Sequence, residues 1–102
     1  MIIYNVTCHL SSELLEEWLI WMKTVHIPEV MQTGCFTGSK MLRLLNQADD
    51  DEGVNIAIQY TAASLADYER YKDEFAPALQ LKTREKYGEQ ILAYRSLLEE
   101  ID

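Results

Sequence analysis

The segment VNIAIQY at residues 54–60 places a large apolar residue at every second position, with smaller or polar residues between them. Successive side chains of a β-strand point to opposite faces of the sheet, so this alternation is typical of a half-buried strand. The face with the large residues needs an apolar cover from elsewhere in the chain. The other face carries Asn55, Ala57 and Gln59, and what covers it is the main functional question that the sequence raises.

The same alternation recurs elsewhere, so the sequence predicts four strands. They cover residues 1–10, 35–46, 54–60 and 90–98. Gly38 marks a bend or bulge in the second of them. Two stretches with apolar residues at three- and four-residue spacing follow the first and third strands and predict amphipathic helices. An acidic turn at 47–53 joins the second strand to the third.

Serine residues mark the predicted helix starts, because a serine hydroxyl accepts a hydrogen bond from a free N–H of the first turn. They are Ser11 and Ser12 for the first helix and Ser64 for the second. Each helix then meets a proline, which cannot donate the next helical hydrogen bond. We therefore expect the first helix to stop near His26, ahead of Pro28, and the second to be interrupted at Pro77 before it ends at Gly88.

The predicted order is β-α-β-β-α-β, which favours a single α+β domain over residues 1–102 with a ferredoxin-like fold. Such a fold has a four-stranded antiparallel sheet, with strands one and three at the centre and both helices on one face. The second face stays uncovered in a monomer. Apolar residues expected to be exposed there are Ile3, Met41, Leu45, Ala57, Ile91 and Leu97. Burying them by packing sheet on sheet predicts a homodimer.

The formal net charge of -8 argues against nucleic acid and anionic membrane as partners, because both would be repelled. The densest basic run, Lys82, Arg84 and Lys86, is typical of the solvated side of a helix. The sequence has no secretory signal and no apolar run of membrane-spanning length, so we expect a cytoplasmic protein. Cys8 and Cys35 are expected to be reduced thiols there.

No spacing of histidine, cysteine or acidic residues is typical of a metal centre, and no glycine-rich phosphate loop or nucleophile elbow is present. The acidic run Asp49 to Glu52 lacks the alternating ligands of a calcium loop. The sequence therefore predicts neither a metal nor a cofactor.

The segment WLIWMKTVHIPEVMQTGCF at residues 18–36 resembles the helix-end pattern of aromatic residues, His-x-Pro and glycine in the dimeric α/β-barrel superfamily. Over nearly its full length the chain also resembles a small bacterial family of that superfamily, a domain of unknown function. The segments that carry this likeness are MIIYNVT (1–7), HIPEV (26–30), QYTAASLADYERY (59–71) and YRSLL (94–98).

The resemblance implies a ferredoxin-like monomer whose sheet pairs with that of a second subunit. It implies no single activity, because the superfamily includes cofactor-independent monooxygenases, isomerases, haem-handling enzymes and proteins without known activity. Only His26 and Pro28 match a motif of the superfamily that can be placed residue by residue.

His26 is the candidate catalytic residue. At the predicted end of a helix, its imidazole could act as an acid or base near neutral pH. The alternative is a structural histidine that caps the last carbonyls of the helix beside the proline.

The candidate ligand-binding residues fall into two groups. Asn5, Arg43, Gln59 and Arg95 are predicted to share the mixed sheet face with Thr7, where a dimer would enclose them and an arginine could bind a carboxylate. The alternative is a polar network that fixes the register of the dimer, or a wet interface.

The second group is aromatic and lies between helices and sheet. Tyr68 and Tyr71, with Trp18 and Trp21, could line a pocket for a hydrophobic small molecule. Aromatic residues at helical spacing also serve as plain core, which is the alternative.

These patterns predict a cytoplasmic homodimeric α/β-barrel protein that binds a small organic molecule or serves as an association module. Two rival hypotheses remain open. One is a cofactor-independent enzyme, a monooxygenase or isomerase that uses His26 or the polar residues of the mixed face. The other is a protein-interaction module without catalysis, whose sheet face meets another polypeptide.

Overall fold

The computed structural model describes residues 1–46 and 53–102, so residues 47–52 of the acidic turn predicted at 47–53 lie outside the described residues. Four antiparallel strands form one sheet: β1 (Ile2–Ser11), β2 (Gly38–Arg43), β3 (Gly53–Ala62) and β4 (Leu92–Glu99). Their order is β2-β3-β1-β4. The predicted ferredoxin-like arrangement is confirmed, with β1 and β3 at the centre.

The register of the central pair decides which side chains are buried. Tyr4 of β1 lies opposite Tyr60 of β3, and Cys8 lies opposite Ile56. Residues that lie opposite one another in paired strands share a face of the sheet. This face packs against the helices and is called the helix side below, whereas the other is called the open face. The largest of the fully buried side chains are Trp18, Leu10, Ile58, Val30 and Cys35.

Each helix contains a π-helical turn between two α-helical segments. The first helix consists of Leu15–Trp21, the π-turn Met22–His26 and Ile27–Met31. The second helix consists of Leu65–Arg70, the π-turn Tyr71–Phe75 and Ala76–Tyr87. The N–H of Ile27 donates to the carbonyl of Met22, and that of Ala76 donates to the carbonyl of Tyr71. These are the wide bonds of a π-helix.

The prediction that the prolines stop or interrupt the helices is wrong. Pro28 and Pro77 each stand at the second position after a π-turn, and the chain stays helical through both. A proline ring clashes with the carbonyl four residues earlier in a regular α-helix. The wider turn ahead of the ring is a known way for a helix to absorb such a local defect. The same arrangement of π-turn and proline occurs at the same place in both helices.

Only one of the two predicted helix starts is confirmed. The Ser64 hydroxyl accepts a hydrogen bond from the Asp67 N–H at 3.2 Å, as expected of an N-cap. β1 instead continues to Ser11, and the first helix begins after Leu14 without a side-chain cap. The N–H of Leu14 bonds to the carbonyl of Ser11 at 3.1 Å, so backbone groups take the place of the predicted serine cap.

The predicted faces of the edge strands are also wrong. Met41 lies opposite Ile58 and Leu97 lies opposite Tyr4, so both point to the helix side, as does Ile91 two residues before Ala93. Ile3 and Ala57 do lie on the open face. Leu45, also expected there, lies beyond the end of β2. When an edge strand has apolar residues at both odd and even positions, its sequence does not show which set faces the helices. Pairing with the neighbouring strand decides this.

Cys8 and Cys35 are both buried and form no disulfide in the described part of the chain. Among residues 1–46 and 53–102, no helix has the length and apolar character needed to cross a membrane.

Gly88 ends the second helix with φ at 58° and ψ at -130°, a conformation that L-residues rarely adopt. A Cβ at this position would meet no atom within 4 Å, so Gly88→Ala changes backbone strain alone. We expect this variant to lose about 1–3 kcal/mol of unfolding free energy in urea titrations.

Gly38→Ala is the matched control, because its Cβ would also meet nothing within 4 Å and its φ is not in the left-handed region. Its unfolding free energy should stay within about 0.5 kcal/mol of the native value. Equal losses in both variants would contradict the assignment of strain to Gly88.

Candidate ligand-binding site

A cavity of about 550 Å³ lies between the helix side of the sheet and the two helices. Its size falls within the range of small-molecule sites. The residues that line it are Tyr4, Val6 and Cys8 of β1, Ile58 and Tyr60 of β3, Trp18, Met22 and His26 of the first helix, Tyr71, Gln80, Thr83 and Arg84 of the second, and Gly88, Glu89, Ile91, Leu92, Ala93 and Arg95 at or near β4.

The cavity is apolar at its inner end and charged at its mouth. Trp18 and Ile58 are each 1% exposed, and Met22, Tyr60 and Tyr71 are also buried. The mouth lies along β4, whose residues are exposed from one end of the strand to the other. Because the helices leave the edge strand β4 uncovered, the space between the helices and the sheet stays open at this edge and is not filled by core side chains.

The two π-turns supply part of the cavity wall. Met22 and His26 belong to the first π-turn and Tyr71 belongs to the second. π-turns inside helices are frequent at functional sites, because they redirect side chains that a regular helix would place elsewhere. The irregular turns thus both accommodate the prolines and shape the site.

His26 stacks on Trp21 with the ring centroids 5.1 Å apart. Burial lowers the pKa of His26 below 6.5; Arg95 and Lys82 act in the same direction and Glu29 opposes them. Its Nδ1 is enclosed without a hydrogen-bond partner in the described part of the chain. A protonated ring would bury an unsatisfied charged donor there, so the neutral imidazole is the cheaper state.

The expected setting of His26 at a helix end is wrong, because the first helix continues to Met31. His26 therefore neither caps final carbonyls nor gains stabilisation of its charge from a helix terminus. Its environment is the wall of the cavity, where burial is the largest influence on its pKa.

Arg95 lies on the helix side, opposite Val6, and not on the face predicted for it. Its Nε donates a hydrogen bond to the Tyr4 hydroxyl at 3.2 Å. The prediction that Arg95 shares a face with Asn5 and Gln59 is therefore wrong. Arg43 is misplaced in the same way, because it lies opposite Ile56 on the far edge of the sheet and is exposed.

The titratable groups at the inner end of the cavity are uncharged at neutral pH. Burial raises the pKa of the Cys8 thiol to about 11, so this thiol is protonated and a poor nucleophile. Burial raises the pKa of Tyr60 and Tyr71 above the usual range, and that of Tyr4 despite the opposing charge of Arg95. Fixed charge is therefore confined to the mouth.

The polar residues of the open face bond to one another. Asn5 Nδ2 donates to Thr7 Oγ1 at 3.0 Å, and Gln59 Nε2 donates to Asn5 Oδ1 at 3.2 Å. His9 Nδ1 and Asn55 Oδ1 lie 3.0 Å apart on the same face. Such mutual pairing supports the alternative in which this polar network fixes the register of the dimer.

Two of the four aromatic residues considered for a pocket line the cavity, namely Trp18 and Tyr71. Tyr68 packs on Tyr4 at 5.3 Å, and Trp21 packs behind His26. Tyr68 thus supports the wall through Tyr4 without itself lining the cavity.

The sequence reasoning missed Gln80, Thr83 and Arg84, which face the cavity from the second helix. Arg84 and Lys82 are both exposed, as expected of the solvated side of that helix, but Arg84 also lines the cavity, whereas Lys82 pairs with Glu29 at 2.6 Å. The signal in the sequence that could have found them is their spacing along the helix. Gln80, Thr83 and Arg84 lie three and four residues apart, on the helical face that also carries buried Tyr87, where polar residues require an explanation.

The family model for "Domain of unknown function (DUF4286)" matches residues 1–101. The chain belongs to this family. The resemblance to a domain of unknown function is thereby confirmed. Among curated proteins, no relative matches the sequence.

Two solved structures share the fold. A crystal structure of an ethyl tert-butyl ether D (EthD) family protein from Bacillus halodurans is similar with a TM-score of 0.67 at 12% identity, over 99% of this chain and 100% of that one. A dimeric ferredoxin-like protein from an uncultured marine organism is similar with a TM-score of 0.51 at 16% identity, over 95% and 92% of the two chains. At such identities the likeness shows the ferredoxin-like fold alone.

The lowered pKa of His26 predicts a pH dependence of stability. Between the folded-state pKa of His26 and about 6.5, the unfolded chain binds more protons than the folded chain. The unfolding free energy therefore rises with pH in this range, and the contribution of His26 to it levels off above about 6.5. His26→Gln should remove that part of the rise in urea titrations from about pH 5 to about pH 8.

His9→Gln, which changes the histidine on the open face, is the control and should keep the rise. An unchanged pH profile in His26→Gln would show that His26 is not buried in its neutral form.

Proposed function

We propose that this DUF4286 protein binds a small, largely apolar organic molecule in the cavity between helices and sheet, as a cytoplasmic homodimer. The observation that carries the proposal is a cavity of about 550 Å³ whose inner wall is aromatic and uncharged. The two free buried thiols support a reducing compartment.

The chemistry of the wall favours a ligand with a flat apolar body. Trp18, Tyr60 and Tyr71 present ring surface, which gains free energy when it contacts another apolar surface instead of water. Polar groups are few and lie at defined places, as in sites where they orient a bound molecule. His26, Gln80 and Thr83 are uncharged polar residues that line the cavity from the helices.

A fluorescence titration with N-phenyl-1-naphthylamine, a neutral aromatic dye that brightens in apolar surroundings, tests the cavity. The native protein should bind the dye saturably. Ala93→Trp adds a large ring to a cavity-lining position on β4 and should weaken binding roughly tenfold or more, because the ring occupies the ligand space. Ala78→Trp, on an exposed helix position outside the cavity, should bind as the native protein does.

Absence of saturable binding, or equal binding by Ala93→Trp, would contradict the proposal and favour an interaction module.

The second candidate is a cofactor-independent enzyme, favoured by the neutral imidazole of His26 in the cavity wall. It would be supported if candidate aromatic ligands, recovered after incubation and analysed by mass spectrometry, were chemically altered by the native protein but not by His26→Gln.

The proposed homodimer rests on the open face. Apolar side chains exposed on it are Leu42, Leu92, Tyr94 and Leu98, and they point the same way as the polar network of Asn5. Sheet-to-sheet packing would bury these residues and keep the cavity accessible from β4. One structural neighbour is described as a dimeric ferredoxin-like protein, which supports the same assembly here.

Light scattering of the native protein at tens of micromolar should give about 24 kDa, twice the chain mass of 11.8 kDa. Leu98→Glu places a charge on the open face and should shift the mass towards the monomer. Leu81→Glu, at a similarly exposed leucine of the second helix (49% against 44%), should leave the dimer intact. A native mass near 12 kDa would contradict the dimer.

A further inference from the structure

We propose that the ligand is an organic anion, with its flat apolar body at the inner end of the cavity and its carboxylate at the mouth, bound by Arg95 and Arg84. This inference rests on the proposed function and specifies the substrate class of the same site.

The first argument is the distribution of positive charge. The chain has nine basic residues against 17 acidic ones, yet two of its arginines line one cavity. Within the described ranges, neither Arg84 nor Arg95 pairs with a carboxylate, whereas neighbouring Lys82 pairs with Glu29 at 2.6 Å. Two guanidinium groups without a carboxylate partner in an acidic protein are therefore available to an anion from outside.

The second argument is the orientation of Arg95. Its Nε donates to the Tyr4 hydroxyl at 3.2 Å, and Tyr4 is itself buried. This bond anchors the Nε edge of the guanidinium at the mouth, while the terminal amino groups make no hydrogen bond within the described part of the chain. Two parallel N–H donors in a fixed plane match the two oxygens of a carboxylate.

The third argument is the sign of the local field. The net charge of -8 repels an anion mainly at long range, and salt screens the interaction between charges that lie more than about 8–10 Å apart. At the mouth itself the wall carries Arg84 and Arg95 against the single carboxylate of Glu89. His26, Cys8 and the tyrosines add no negative charge, so the inner end offers a cationic ligand no ion pair.

The test compares 2-naphthoic acid with 2-naphthamide, which has the same rings without the charge, by displacement of N-phenyl-1-naphthylamine at neutral pH. The acid should bind roughly tenfold more tightly than the amide to the native protein. Arg95→Gln should reduce this preference to about twofold or less, and Arg84→Gln should reduce it in part. Arg43→Gln, an exposed arginine at the far edge of the sheet, should keep the full preference.

Each outcome has a definite meaning. If the acid and the amide bind equally well to the native protein, the anion inference fails and the cavity proposal stands. If neither of them nor the dye binds, the proposed function fails. If the native preference survives in both Arg95→Gln and Arg84→Gln, these arginines are not the anion site. Continued binding of the uncharged dye by each variant verifies that it is folded.

Discussion

The pairing register of β1 with β3 is the constraint on which the rest of the structure depends. Side chains alternate between the faces of a strand, so a slip of one residue would turn the buried residues of β1 onto the open face. In the observed register Tyr4 lies on the helix side, where the centroid of its ring lies 5.3–6.0 Å from the ring centroids of Tyr60, Tyr68 and Tyr71. The hydroxyl of the same residue bonds Arg95. One register thus connects the aromatic core to the charged mouth of the cavity.

The helices adapt to that sheet through their π-turns. Each π-turn precedes a proline and lets the helix continue where a regular α-helix would break. The consequence for the site is direct, because Met22, His26 and Tyr71 belong to these turns and line the cavity. A helix that had stopped near His26 would have left this residue at an exposed end instead of in an enclosed wall.

The cavity separates apolar surface from charge. At the inner end, burial keeps the imidazole, the thiol and the phenols neutral, since each charged form would lose its hydration. At the mouth, the guanidinium groups of Arg84 and Arg95 supply positive charge. An amphipathic molecule satisfies both environments at once, whereas a fully polar or fully apolar one satisfies only one of them.

The alternation in the four predicted strands, together with the helical spacing of apolar residues between them, was sufficient to predict the ferredoxin-like topology. These signals are local, since a half-buried strand and an amphipathic helix show their pattern in consecutive residues. The aromatic character of the site was visible in the same way, through Trp18 and Tyr71.

The sequence by itself therefore determined the order of the elements, the central pair of strands and the apolar face of each helix. Only the tertiary structure decided the faces of β2 and β4, because an edge strand with apolar residues in both phases takes its orientation from its partner. That decision moved Arg95 from the open face into the cavity beside Tyr4. The continuity of the helices through Pro28 and Pro77 was likewise a matter of tertiary packing, which stabilises a π-turn that local propensity does not specify.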